Sequence, residues 1–195
     1  MFRRNLATTI CVILSALTFI TVGSCFSAFL YKREIVKVEN PQIILADGVK
    51  VYNLDDKEIN SLELSTMKLG LKPATGEEDS VSNIPSTVTD EQGSEGVYAK
   101  FKIQSSHDVK IVIKNIKIET KEDQEKVDKE RKNICVAIKE LEGSAVSLEE
   151  DQVVLGNISA SSEMKEYTFL VWLCGKAGDD LEGSTISFDL NFENV

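Results

Sequence analysis

The 195-residue chain has a single histidine, His107. Ser-His-Asp and Cys-His catalysis need an imidazole as general base, so any such machinery here would run through that residue. It lies in Ser105-Ser106-His107-Asp108, a polar run between two apolar stretches, and reads as a solvent-facing turn residue. Zinc sites built from several histidines or from Cys-x-x-Cys pairs are missing. So are Gly-x-Gly-x-x-Gly and phosphate-loop patterns. No repeat of 20–50 residues is visible. The sequence therefore predicts no catalytic residues, no cofactor and no metal.

Charge is missing from one long stretch. Asn5 to Tyr31 contains no Asp, Glu, Lys or Arg, with Arg3 and Arg4 before it and Lys32 and Arg33 after it. As a helix at ~1.5 Å per residue this run reaches about 40 Å, more than the ~30 Å hydrocarbon core of a bilayer. Residues 1–33 are expected to be an N-terminal signal-anchor or transmembrane helix, contacting the membrane through residues 5–31. Two other readings compete: a signal cleaved before Ala28, and a lipoprotein signal in Val22-Gly23-Ser24-Cys25 that would lipidate Cys25. Against both, Phe26-Ser27-Ala28-Phe29-Leu30-Tyr31 continues the apolar run. Basic residues are almost balanced across the segment. A short tail inside and the domain outside is the arrangement expected. A pilin-like subunit is excluded, because neither a Gly-Phe-type processing site nor a Glu at the start of the apolar run is present.

What remains, residues 34–195, is long enough for one domain with a real core. Without the four basic residues of the start it has 18 basic and 32 acidic residues, a net charge of −14. That field repels nucleic acid and anionic lipid headgroups, so no nucleic-acid partner is expected.

Alternation dominates this domain. Ile35, Val36 and Val38, then Ile43-Ile44-Leu45, then Val49 and Val51 are punctuated by Pro41 and Asp47-Gly48, which predicts short strands joined by a turn. Leu62 to Leu71 alternates as a half-buried strand would. Pro73 to Gly96 is a long acidic loop. Val97, Ala99, Phe101 and Ile103 share one face. Val109, Ile111 and Ile113 continue the pattern, but Ile116 and Ile118 have the opposite parity. A shift of one residue reverses every later side chain, so a bulge is predicted near Lys114-Asn115.

Residues 121–132 are almost all charged, with Val127 the only apolar one; they read as a solvated helical excursion or a charged loop. Further strands follow at Ile134–Ile138, Val146–Leu148 and Val153–Ile158. Tyr167–Leu173 is apolar on both faces and so central, while Ile186, Phe188, Leu190 and Phe192 form one clean inward face. Eight or nine such strands with one poor helix predict an all-β fold, an antiparallel β-sandwich of jelly-roll or Ig-like kind.

Cys135 and Cys174 both have the parity opposite to their strands' main apolar faces. They are a candidate disulfide on a shared outer face, suited to an extracellular domain; the alternative is two unpaired small residues. Glu77-Glu78-Asp79 and Asp179-Asp180-Leu181-Glu182 offer oxygen ligands for calcium but lack EF-hand spacing. Asn157-Ile158-Ser159 fits a glycosylation acceptor.

The run Glu166–Leu173, a short acidic turn, and Gly183–Phe192 resemble the final two strands of TasA/camelysin-type proteins. Those are secreted bacterial β-sandwich proteins of biofilm matrix and cell surface. The resemblance implies a surface β-sandwich. Where the family has a short signal and a Phe-Ser-Asp-like start, this chain has Cys25-Phe26-Ser27-Ala28, and no zinc-ligand set carries over. The function expected is a non-enzymatic, membrane-tethered bacterial surface protein, single-pass with its domain outside. It would act in protein–protein interaction or self-association, through strand addition at a sheet edge by residues 35–45. The alternatives are a secreted, signal-cleaved biofilm fibre subunit and a carboxylate- or calcium-dependent surface hydrolase. A binding platform of Trp172 with Tyr98 is a further reading.

Overall fold

The computed structural model describes residues 36–65, 68–69, 96–120, 123–141, 143–173 and 181–195. The expectations for the uncharged start and for the acidic stretch after Pro73 fall outside them. Among the described residues no helix is long and apolar enough to cross a membrane.

The fold is all-β. Its strands are β1 Val36–Val38, β2 Gln42–Leu45, β3 Val49–Tyr52, β4 Lys68–Leu69, β5 Gly96–Ser105, β6 Val109–Glu119, β7 Ile134–Ile138, β8 Val146–Ser147, β9 Val153–Ile158, β10 Ser161–Leu173 and β11 Thr185–Asn194. They form two sheets. The first has the order β4-β1-β11-β6-β9, with β2 also on β11, and the second the order β3-β5-β10-β7-β8. Their apolar faces share one core, where the Phe169 ring of the second sheet lies 5.8 Å from the Phe188 ring of the first. Phe101, Ile111, Ile113, Val136, Val171, Ile186 and Leu190 are fully buried around them.

Strict alternation predicted the central strands well. Strand β10 has β5 on one side and β7 on the other, which is why Leu170 and Trp172 are apolar on the face away from the core. The predicted bulge is present. The β11–β6 register slips between Ser187 and Asp189, leaving Asn115 and Ile116 opposite Phe188. Asn115 takes φ +54°, a left-handed conformation that Asn tolerates better than most residues, and its Nδ2 donates to Asp189 Oδ2 at 2.6 Å.

Two expectations are corrected. The pairing is not wholly antiparallel: β1 and β2 both run parallel to β11. Parallel partners need a crossover that brings the chain back to the same end, and the domain between β2 and β11 supplies it. The predicted turn at Asp47-Gly48 is present between β2 and β3 and, since these belong to different sheets, it forms a corner. Gly48 has φ +80° there, and a Cβ would collide with Ser106 Oγ. Of the half-buried strand expected from Leu62 to Leu71, the described residues are 62–65, which follow the bridge at Ser61 outside any strand, and the two-residue β4.

The charged run contains helix α1, Gln124–Glu130, capped by Asp123, whose side chain accepts from the Glu125 N–H. Glu125 and Lys129 pair at 3.1 Å, as their spacing predicts. Val127 is not solvated, however. It is fully buried in the shared core, so the helix is held by one apolar plug.

Candidate functional site

The turn around His107 directs its polar groups at backbone. Ser105 Oγ donates to the His107 carbonyl at 2.7 Å, and Ser106 Oγ donates to the Gly48 carbonyl at 3.3 Å. Asp108 Oδ1 accepts from the Ala160 N–H at 2.8 Å. A triad needs serine aimed at imidazole and imidazole at carboxylate; here both serine hydroxyls and the Asp108 carboxylate bind main chain instead. Beside the turn lies a crevice of about 420 Å³ lined by Gly48, Ser105, Ser106, Ser161 and Ser162 among others.

Among the described residues no group of three or more His, Cys, Asp or Glu could hold a metal. The calcium candidate Glu77–Asp79 lies outside the described residues, as do Asp179 and Asp180 of the candidate Asp179-Asp180-Leu181-Glu182-Gly183, of which Leu181, Glu182 and Gly183 are described. Glu193 sits between Lys110, at 3.2 Å, and Lys114. The Lys114 ammonium does most to hold its carboxyl below the ordinary value, Lys110 adds to this, and partial desolvation opposes both. A general acid requires the opposite shift.

A wider concavity of about 620 Å³ is lined by Asn53, Asp55, Glu58, Glu63, Tyr98 and Lys100 among others. The Asn53 side chain is committed to the turn: its Oδ1 accepts from the N–H groups of Asp55 and Lys57. Lys102 clamps the same loop through the Leu54 carbonyl and Asp56. Tyr98 is half-buried here, but Trp172 is fully buried, so the two rings do not form an exposed platform.

Cys135 is fully buried and disulfide-bonded. It pairs across the sheet with Trp172 and belongs, with Ala137, Leu170 and Trp172, to a second apolar cluster separate from the shared core. Its parity is as the sequence predicts. The expected partner Cys174, like the lipidation candidate Cys25, lies outside the described residues. Trp172 Nε1 is buried without a hydrogen-bond partner among the described residues.

The sheet edges differ sharply. On one side, residues 57–62 stitch the sheets together. Ile59 N–H donates to the Val51 carbonyl of β3 at 2.9 Å, and Leu62 N–H to the Pro41 carbonyl beside β2 at 3.0 Å. On the other side, β9 pairs with β6 alone among the described residues. Its six residues, Val-Val-Leu-Gly-Asn-Ile, carry no charge. Edge strands are usually protected by charge, proline or a bulge. Here only the bulge is present, at Leu155–Gly156, where Gly156 has φ +145°. Sequence reading found β9 as a strand but could not tell that it lies at an edge, since pairing partners are distant in the chain.

Within residues 35–45, expected to add as a strand to another sheet, β1 Val36–Val38 and β2 Gln42–Leu45 are paired within this chain along β11. No protein-family model, curated protein or solved structure matches the chain.

Proposed function

We propose that the chain is a membrane-tethered bacterial surface domain, a jelly-roll- or Ig-like β-sandwich of the TasA/camelysin kind, that works by binding protein and not by catalysis. The observation that carries this reading is the disulfide at Cys135 in a domain that follows a run of 27 uncharged residues. Disulfides persist in oxidising compartments, and such a run is long enough to cross a bilayer. Together they favour an anchored chain with its domain outside. Strand addition is the binding mode a two-sheet domain offers without a preformed catalytic site. Because β1 begins at Val36, the residues that cover the β11 edge follow directly on the tether.

The experiment is fractionation of the native host with mass spectrometry of the protein's N-terminus. An intact N-terminus in the membrane fraction is expected. A chain beginning near Ala28 in the medium would replace this reading with a secreted fibre subunit, and a lipid on Cys25 would make it a lipoprotein.

A further inference from the structure

We infer that the concavity beside Tyr98 binds a basic segment of a partner protein, one that presents arginine or lysine side chains. This rests on the reading above that the chain works by binding protein, and it names the place and the chemistry of the partner. The concavity has a definite origin in the second sheet. Strand β3 stops pairing at Tyr52, opposite Lys102, whereas β5 begins six residues earlier in the chain, at Gly96. The chain after Tyr52 loops outward and returns to β5 at Ser65, whose N–H donates to the Tyr98 carbonyl at 2.7 Å and whose Oγ accepts from the Tyr98 N–H at 3.2 Å. The space of about 620 Å³ lies between these two attachments, within the size range of ligand pockets.

Its rim is held in place before any partner arrives. Lys102 grips the Leu54 carbonyl and Asp56, Ile59 N–H donates to Val51, and Leu64 N–H donates to Asn40 Oδ1 at 3.2 Å. A rim ordered in advance lowers the entropic cost of binding. Charge then selects the occupant. Asp55, Glu58 and Glu63 line the concavity with exposed carboxylates. The two lysines nearest them are engaged by other acids, Lys100 by Glu166 at 3.4 Å and Lys102 by Asp56 at 2.6 Å. An anionic ligand would be repelled, a neutral one would leave three carboxylates unused, and a second copy of this chain, with its domain of net charge −14, is disfavoured by its own field. A cationic side chain fits. The half-buried Tyr98 ring offers a cation–π face, and Leu54, 48% exposed on the rim, offers apolar surface to the aliphatic stem of arginine or lysine.

The test uses the full chain in neutral-detergent micelles and a fluorescein-labelled peptide of alternating glycine and arginine, titrated by anisotropy. Binding is expected, and it should weaken as salt is raised. D55N/E58Q/E63Q should weaken it by about tenfold or more. E149Q/E150Q/E163Q, which removes the same charge from exposed sites outside the concavity, should change it by less than about threefold. Tyr98→Leu should weaken binding by about threefold or more while Tyr98→Phe retains it. If Tyr98→Leu does not fold, the two triple variants decide alone. Equal losses in the two triples would reduce the effect to general attraction by an acidic domain and overturn the inference, as would no binding at ~1 mM peptide. Either failure, alongside an intact N-terminus in the host membrane fraction, removes the basic-segment site and leaves the surface-domain reading standing.

Discussion

Each sheet buries a side chain on the face turned away from the core, and the two do it by opposite means. On the first sheet, Val112 is fully buried between Lys110 and Lys114, which both reach Glu193 on the neighbouring strand. Asn191, the partner of Val112 on β11, is buried beside it, and long lysine side chains can lay aliphatic stems over such a patch while their ammonium groups stay at the surface. On the second sheet, Trp172, Leu170, Ala137 and the disulfide-bonded Cys135 bury one another as an apolar cluster. Burial on an outer face is thus not one phenomenon. On the first sheet charged side chains flank a small buried patch, whereas an apolar cluster contributes to stability in its own right.

Mutation should separate the two faces. The largest loss is expected for Trp172→Ala, about 3–5 kcal/mol by analogy with other large-to-small core changes, read as a lower denaturation midpoint with unchanged m. Cys135→Ser should cost about 2–5 kcal/mol, and dithiothreitol should lower the wild-type midpoint but not that of the variant. If both changes leave stability untouched, the second cluster is not a structural unit.

Asn115→Val tests the bulge between the faces: forcing a β-branched residue to φ +54° should cost at least ~1–2 kcal/mol, while Asn115→Gly should lose mainly the bond to Asp189. Glu193→Gln on the first sheet should have the smallest effect, within the ~0–1 kcal/mol of surface ion pairs. Its sign with pH is definite. A carboxyl held below its ordinary 4.5 contributes stability above that value and loses it as pH falls through the lowered one. The gap between wild type and Glu193→Gln should therefore close in acid. A gap that widens in acid would contradict the lysine pairing. Tyr167 offers a counterpart on the second sheet. Burial, and secondarily the Glu140 carboxylate, push its phenol above 10.0, so its contribution persists at neutral pH and is lost as pH rises through the raised value.

Much of this was legible in the alternation. Ile186, Phe188, Leu190 and Phe192 turn inward as their spacing demands, and the parity change after Ile113 located the bulge to within one residue. Period-two patterning reports which face a side chain occupies, and these strands are buried on one known side. Legibility failed where packing was decided by a single residue or by distant chain. Val127 looked solvated because its helix has no apolar stripe, yet one plug suffices to seat it in the core. The turn at Asp47-Gly48 was legible but not its role as a corner between sheets, because a turn signal does not say which sheet the next strand joins. The wider concavity near Tyr98 was likewise invisible, since it draws on residues 53–65 and 98–100, which only folding brings together.

The sequence by itself determined the all-β class, the facing of the central strands, the bulge, the strongly acidic domain and the uncharged start. Each follows from local periodicity or composition, which act over a few residues. Tertiary structure alone decided that β1 and β2 lie parallel on β11, that residues 57–62 close one side, and that the uncharged β9 is left at the edge. Those depend on which strands meet, and strand pairing is set by the mutual burial of faces far apart in the chain.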